Sequence, residues 1–545
     1  MNQIRLQGLN AHVRRLMIVM SLSLLLNNGA ARAQSQPAVV REIRDEALRK
    51  NNSGGRPLPL AGHWNAGDYP DGFDPDYQMT MIERGHHLLP WFGQPSPDSV
   101  PGNPPQSRYF ERAFKRAAAL KLPISFLSTQ WERLLTDDPA FFNLPADENP
   151  NVINFIGQPQ RMVSPFGPVA SWREVGRKWI TSPMLSRLEE WYPEPPRVLF
   201  VSNNEHPKPE WGQIEMDLHF VKLYGTGRDR EFLRQTVSEG WIERYRAMQV
   251  AMVDGMKQKA WKANSVLIGY NAFGVPFFGR SANWPGYSLT VPGRVDANPL
   301  MWDGGSPSYY VWETDDSTDY TVYSPQIEAM NYVFMQQDAW QANPDFWFEF
   351  SVWDGRSPGA PKDKAKIYAS RGQTFTPERY GGFVQFGMWL LRPRVVREFR
   401  PGNDTKANSE AYFLPIVAAV DRVYANQVLK SFWRSGTLVP NRAHQHPYQS
   451  NIPTAYQKVD RWFLLETSLD PPRPWTQSTA LPVFSLALVQ GKKPARQWLL
   501  YAHSPLAARK GVAITLPDYG VIKIDVNVGG SFYLVNEKGN KVKMI

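Results

Sequence analysis

The chain has 545 residues, a formal net charge of +10, 13% aromatic residues including 20 tryptophans, and no cysteine. The lack of cysteine excludes a disulfide scaffold, thiol catalysis and cysteine-ligated metal, and the length predicts two or three domains. No lysine/arginine block forms a nucleic-acid footprint, and nothing after residue 33 approaches the roughly 20 apolar residues that a membrane span needs.

In chain order, the first feature is a secretory signal. Arg5, Arg14 and Arg15 give a basic start, residues 16–26 a short apolar run, and Ala31-Arg32-Ala33 a small-x-small cleavage pattern. Cleavage is expected near Ala33, so the mature chain is expected to begin near Gln34 and to be secreted or periplasmic. Taking the four arginines of residues 1–33 from the total of 61 leaves 57 basic against 51 acidic residues. That balance is only mildly basic and permits an anionic ligand without demanding one. Residues 34–55 read as a polar, charged leader.

From 56 to 440, short apolar runs alternate with helical patterns, as in βα units around a parallel sheet. The runs 57–64, 86–92, 122–128, 197–205, 265–273, 308–313, 345–353 and 382–391 predict eight strands. Helices are predicted over 108–120, 172–191, 230–262, 326–342 and 411–433. Eight strands with interleaved helices predict an α/β fold of the (β/α)8 TIM barrel type. A doubly wound nucleotide-binding sheet would be announced by GxGxxG or GxxxxGK[ST], and the chain has neither. From 455 to 545 the pattern changes to short alternating segments separated by Gly and Asn/Asp turns, which predicts a small C-terminal antiparallel β-sandwich.

In such a barrel the chemistry sits at the C-terminal ends of the strands. The run RVLFVSNNE is apolar and then emerges as Asn203, Asn204 and Glu205, with His206-Pro207 stopping the strand. In DFWFEFSVWDG, Glu349 lies inside an aromatic and apolar strand, where a carboxylate costs several kcal/mol unless paired or used. The structural alternative for either glutamate is a salt bridge to an Arg or Lys of a neighbouring strand.

Asn-Glu closing the fourth strand and a lone Glu on the seventh resemble the pattern of the clan A retaining glycoside hydrolases, over roughly residues 55–400. The resemblance implies O-glycosyl hydrolysis by double displacement, with Glu205 as acid/base and Glu349 as nucleophile. It implies further that Asn204 binds the sugar hydroxyl beside the reacting carbon. Tyr309 or Tyr310, near strand six, would hydrogen-bond the nucleophile, and Trp389, on strand eight, would lie under the scissile sugar. One carboxylic acid protonates the leaving oxygen while a carboxylate about 5–5.5 Å away attacks the anomeric carbon. The charge of Glu349 would then raise the pKa of Glu205.

His63, Trp64, Trp131, Tyr270, Asn271, Trp302, Asp303 and Trp353 are further candidates for substrate contact, with packing at the rim as the alternative for each. His86-His87 suggests a metal, but adjacent strand residues point to opposite faces, so no metal or cofactor is expected. Arg280, Arg294, Arg356, Lys362 and Arg371 are candidates for holding sulfate or carboxylate groups of a polymer, against ordinary solvated loop charge. The expected partner is therefore a polysaccharide or oligosaccharide, with sulfated and uronate-bearing glycans among the candidates. Two rival readings are a non-catalytic carbohydrate-binding barrel and a polysaccharide lyase that abstracts a proton beside a uronate carboxyl. Serine hydrolase chemistry is disfavoured because no GxSxG elbow occurs.

Overall fold

The computed structural model describes residues 37–51, 54–63, 75–92, 106–129, 131–203, 208–270, 297–310, 324–353, 369, 374–399, 406–441, 463–469 and 483–545. The signal peptide, Trp64, Asn204, Glu205, Asn271 and the five loop charges from Arg280 to Arg371 lie outside these residues. Tyr270, Tyr309 and Tyr310 are described in their backbone alone. Among the described residues no helix is long and apolar enough to cross a membrane.

Eight parallel strands close a barrel. They are β1 (Leu60–His63), β2 (Trp91–Phe92), β3 (Ile124–Thr129), β4 (Val198–Asn203), β5 (Ser265–Tyr270), β6, β7 (Trp347–Trp353) and β8 (Val395–Glu398). β6 is split by Pro307 into Gly304–Ser306 and Ser308–Tyr310, and both pieces pair with β7 in one register. Each neighbouring pair is parallel, and β1 pairs with β8. β1 meets the segment before β2 through a parallel bridge between Ala61 and Leu88. β2 is short because Gln78, on a helix, takes both hydrogen-bonding groups of Trp91: its Oε1 accepts the amide and its Nε2 reaches the carbonyl.

The register gives the barrel its geometry. Stepping across the hydrogen-bonded partners from Glu349 leads through Val395, Leu60, His87, Lys121, Pro195, Lys262 and Asn298 back to Gln341 on the line of β7, eight residues below the start. A shear of eight for eight strands is that of the (β/α)8 fold. Interior side chains then fall into layers drawn from alternate strands. Glu349 shares its layer with Gly62, Ser125 and Ile268, and Trp91, Val201, Ser306 and Arg397 form the next layer toward the strand C-termini. Small residues therefore face large ones, which lets a tryptophan and an arginine fit inside.

The outer layer includes α1 (Ala38–Leu48), α2 (Pro75–Glu83), α3 (Gln106–Ala119), α4 (Val169–Ile180), α5 (Pro183–Trp191), α6 (Arg230–Gly255), α7 (Ser324–Ala342), α8 (Pro377–Leu391), α9 (Lys406–Ala425) and α10 (Gln427–Ser435). Their boundaries follow local chemistry. Ser182, Asp229 and Thr376 accept amides at the N-termini of α5, α6 and α8, and Pro183 and Pro377 occupy first-turn positions whose missing N–H costs nothing. The expected single helix over 172–191 is broken between α4 and α5 by this Ser182-Pro183 cap.

One expected strand is a helix. Residues 382–391 belong to α8, whose every residue from Tyr380 to Leu391 except Gln385 is buried, and the eighth strand is Val395–Glu398. The 34–55 leader likewise contains α1, which buries Val39, Val40 and Ile43.

Beyond α10, Thr437–Leu438 starts a five-stranded sheet completed by Phe484–Gln490, Gln497–His503, Ser531–Asn536 and Lys541–Met544, all antiparallel. A hairpin of Arg509–Leu516 and Gly520–Val526 covers one face, burying Val512, Ile514, Ile524 and Val526 against Trp498, Leu500 and Val535. This is the expected small sandwich. The other face, with Phe484, Tyr501 and Phe532, packs on the barrel: Phe386 and Trp389 of α8 lie 5.6 Å and 5.4 Å from the Phe484 and Phe532 rings.

Candidate functional site

β4 ends at Asn203, so Asn204 and Glu205 immediately follow the C-terminal edge of the fourth strand. β3, β4 and β5 finish in register, with Thr129, Asn203 and Tyr270 as partners. The mouth of the barrel therefore lies where the motif was expected to emerge.

Glu349 is the third of seven residues in β7 and points into the barrel, fully buried. Arg397 of β8 donates Nε–H to Oε2 at 2.8 Å and Nη2–H to Oε1 at 2.9 Å. Trp347, two residues earlier on the same face of β7, donates its indole N–H to Oε1 at 2.8 Å. A bidentate arginine is a strong, charge-neutralising partner for a carboxylate, and its planar fork fixes the carboxylate plane. The guanidinium lies over the Trp91 ring at 4.4 Å from the centroid. Gly62 makes room for it, since a Cβ there would sit 3.0 Å from Arg397 Nη1. Arg397 is the residue that sequence reading missed. The signal was an arginine directly after an apolar pair, Val395-Val396, in a segment not expected to be a strand.

Above Glu349, toward the mouth, Ser351 meets Ser306 at 3.2 Å between hydroxyls. Trp353 ends β7 and meets Phe399 edge-on at 5.9 Å. Tyr309 and Tyr310 are in register with Val352 and Trp353. Strand seven thus brings Glu349, Trp353 and the two tyrosine positions onto one side of the barrel.

The other candidates sit elsewhere. His63 turns outward, its ring 5.3 Å from Phe413 of α9. Trp131 and Trp302 are fully buried 5.9 Å apart in an aromatic cluster with Trp179 of α4 and Tyr245 of α6. Trp389, on α8 instead of a strand, packs edge-on against Trp433 at 5.1 Å. Asp303 accepts from Arg246 at 2.8 Å, at the start of β6. His86 and His87 do not diverge as strand neighbours would, because they precede β2. Both reach Asp421 of α9 through Nδ1 at 2.7 Å, and His87 Nε2 lies 3.0 Å from Glu42. Among the described residues no cluster of His, Asp and Glu could hold a metal ion.

Sequence reading also passed over Glu132, three residues past β3. Its carboxyl is fully buried and accepts from the Tyr245 hydroxyl at 2.7 Å. Burial pushes its pKa up, against the opposing pull of Lys208. The Lys208 ammonium, three residues past Glu205, lies over the Trp241 and Tyr245 rings at 5.7 and 5.2 Å. This buried group tethers the segment that follows β4 to α6. The rule that found Glu205, acid after strand end, would have found Glu132 as well.

No family model matches the chain, and no curated protein matches it. Among solved structures it is similar to a glycoside hydrolase family 5 enzyme from Prevotella bryantii, at 9% identity over 71% of this chain and 99% of that one, with a TM-score of 0.35. It is similar to a family 36 α-galactosidase from Geobacillus stearothermophilus, at 10% identity over 93% of this chain and 59% of that one, with a TM-score of 0.39. It is also similar to an endocellulase from Pyrococcus horikoshii, at 8% identity over 64% and 86%, with a TM-score of 0.33. At these values nothing about activity or substrate passes from those proteins to this chain.

Proposed function

We propose that the protein is an exported retaining glycoside hydrolase acting on a polysaccharide or oligosaccharide, with Glu205 as acid/base and Glu349 as nucleophile. The observation that carries the reading is positional: the fourth strand of a closed (β/α)8 barrel runs out one residue before Asn204-Glu205, and the seventh holds Glu349 pointing inward. Oxocarbenium chemistry requires two carboxyl groups of unlike role. Arg397 and Trp347 orient Glu349 as an acceptor, while Glu205 follows the rim, where a leaving group would be protonated. Trp353 ends β7 on the same face as Glu349, and the backbone of Tyr309 and Tyr310 pairs with Val352 and Trp353 there. The mild basic excess suits a sulfated or uronate-bearing glycan as well as a neutral one.

A second reading has its own observation. Among the described residues, the hydrogen bonds to Glu349 come from inside the barrel, and four residues of β7 lie between it and the mouth. In that reading the Glu349–Arg397 pair is structural and the barrel binds carbohydrate without cleaving it. The deciding experiment screens neutral, uronic and sulfated polysaccharides for reducing ends, then assays Glu205→Gln and Glu349→Ala with an activated aryl glycoside and azide. Retaining hydrolysis predicts losses of at least about 10²-fold in each variant and glycosyl azides of opposite anomeric configuration from the two. Unchanged turnover in Glu349→Ala removes it from the chemistry, and products absorbing in the ultraviolet would indicate a lyase.

A further inference from the structure

The N-terminal end of the barrel, opposite the mouth, holds a cavity of about 630 Å³. Arg56 enters it just before β1 and Arg392 just before β8, with Arg434 from the end of α10 beside them. Arg434 is neutralised, because both of its Nη groups donate to Glu46, which also accepts the Leu58 amide. The other two are not. Arg56 donates Nη1–H to the Leu391 carbonyl at 2.9 Å and lies over the Trp340 ring at 4.6 Å. Arg392 donates Nη1–H to the carbonyls of Phe432, Trp433 and Gly436 at 3.3, 3.1 and 2.6 Å, while its Nε is buried without an acceptor. Carbonyl dipoles satisfy donors but cancel no charge.

Burial pushes the Arg56 guanidinium down to about 10, and burial together with the like charge of Arg56 pushes Arg392 the same way. Arginine nevertheless keeps its proton at neutral pH. Two positive charges therefore share one cavity with no carboxylate among the described residues acting on them. Buried charge of one sign is costly unless it is paired. Each guanidinium presents five N–H donors in a planar fork, most of them unused here. Thr437 and Gln337 also line the walls, and Val333, Leu390 and Phe463 supply apolar surface.

We propose that this cavity is an anion-binding site for a ligand bearing a doubly charged tetrahedral oxyanion, a phosphate or sulfate group, clamped between Arg56 and Arg392. The volume lies in the range of small-molecule sites, about 300–1,000 Å³, and leaves room for an organic body against Val333, Leu390 and Phe463. The site is independent of the mouth and of the chemistry proposed there.

The test uses the full chain with inorganic phosphate and with sulfate, each compared with sodium chloride at matched ionic strength. Calorimetry is expected to show one site for either oxyanion, and the melting temperature is expected to rise by about 2 °C or more at saturation. Arg56→Gln is expected to bind at least about tenfold more weakly, since one charge-assisted contact is lost. Thr437→Glu, which brings a carboxylate to the guanidiniums, is expected to abolish the response while the protein stays folded by circular dichroism. Preference for phosphate or for sulfate identifies which oxyanion the site takes. Absence of heat and of any shift beyond chloride overturns the proposal, as does wild-type binding by folded Arg56→Gln or Thr437→Glu.

Discussion

Glu349 and Arg397 cancel each other's charge in the centre of the barrel, joined by two hydrogen bonds of 2.8 and 2.9 Å with neither side chain exposed. Truncating one partner leaves the other as an uncompensated buried charge. Arg397→Met is expected to cost about 3–5 kcal/mol of unfolding free energy, and the double variant Glu349→Leu/Arg397→Met less than that single change. Equilibrium urea denaturation of the four proteins measures this. Additive losses would show that the two side chains are not coupled.

The sandwich docks on α8 at Gly382. A Cβ there would sit 2.1 Å from His503 Nδ1 and 2.4 Å from the Val528 carbonyl oxygen. Neither can retreat, because His503 is buried against Phe383 and Phe484. Gly382→Ala is therefore expected to destabilise by about 1–3 kcal/mol or more, and proteolysis should release the C-terminal sheet earlier than in the wild type.

His503 also sets a pH dependence. Burial pushes its pKa down to about 3, against about 6.5 in an unfolded chain. The folded state refuses a proton that the unfolded state binds, so the protein is fully stable above pH 6.5 and loses about 1.4 kcal/mol per unit from this group as pH falls toward 3. Melting curves between pH 7 and 5 should slope accordingly, and His503→Leu should flatten that slope. An unchanged slope would place the titration elsewhere.

Asp421 contributes in the same direction at lower pH. Burial pushes its carboxyl up, but hydrogen bonds from His87 and His86 together outweigh that and hold it below its ordinary value. Its contribution is present above about pH 4 and is lost as pH falls through the lowered folded value. Asp421→Ala is expected to cost about 1–3 kcal/mol at pH 7 by leaving the His87 amide and both imidazoles without their acceptor. Chemical denaturation at pH 7 measures the loss.

Trp131 and Trp302 separate packing from binding. Both are sealed among Trp179 and Tyr245, so Trp131→Ala is expected to lose about 3–5 kcal/mol of stability, with KM for any cleaved glycan unchanged in the folded protein. Trp353, at the C-terminal end of β7, is also buried and packs on Phe399, so its replacement by Ala is expected to cost stability too, and a raised KM in the folded variant is what sets it apart from Trp131.

Much of the barrel was legible because parallel strands buried on both faces read as unbroken apolar runs. β3, β4, β5 and β7 were visible as such runs, and α3 and α7 as periodic helices. The same rule failed at 382–391. A helix enclosed by the barrel on one side and the sandwich on the other, through Phe386 and Trp389, has no polar stripe, so its run is indistinguishable from a strand. The true eighth strand escaped because Arg397 and Glu398 make it look exposed. For the site, the numbers of the fourth strand and of the seventh, which holds Glu349, followed from strand counting, but the partner of Glu349 did not. Pairing across β7 and β8 is tertiary information, separated by 48 residues. The outward turn of His63 was hidden for a related reason, since four strand residues do not say which face is the core.

The pairing of β1 with β8 has a consequence for how the chain acquires its structure. Leu60 meets Val395, the Trp433 indole donates to the Pro57 carbonyl, and Arg434 grips Glu46 across 388 residues of sequence. The strand pairing must wait for roughly seven-tenths of the polypeptide, and the Trp433 and Arg434 contacts for roughly four-fifths. During synthesis α1 and β1 therefore wait as an unpaired edge, the kind of surface that recruits foreign strands. Closure of the barrel is consequently a late event governed by long loop closure, which slows folding relative to a protein built from local contacts.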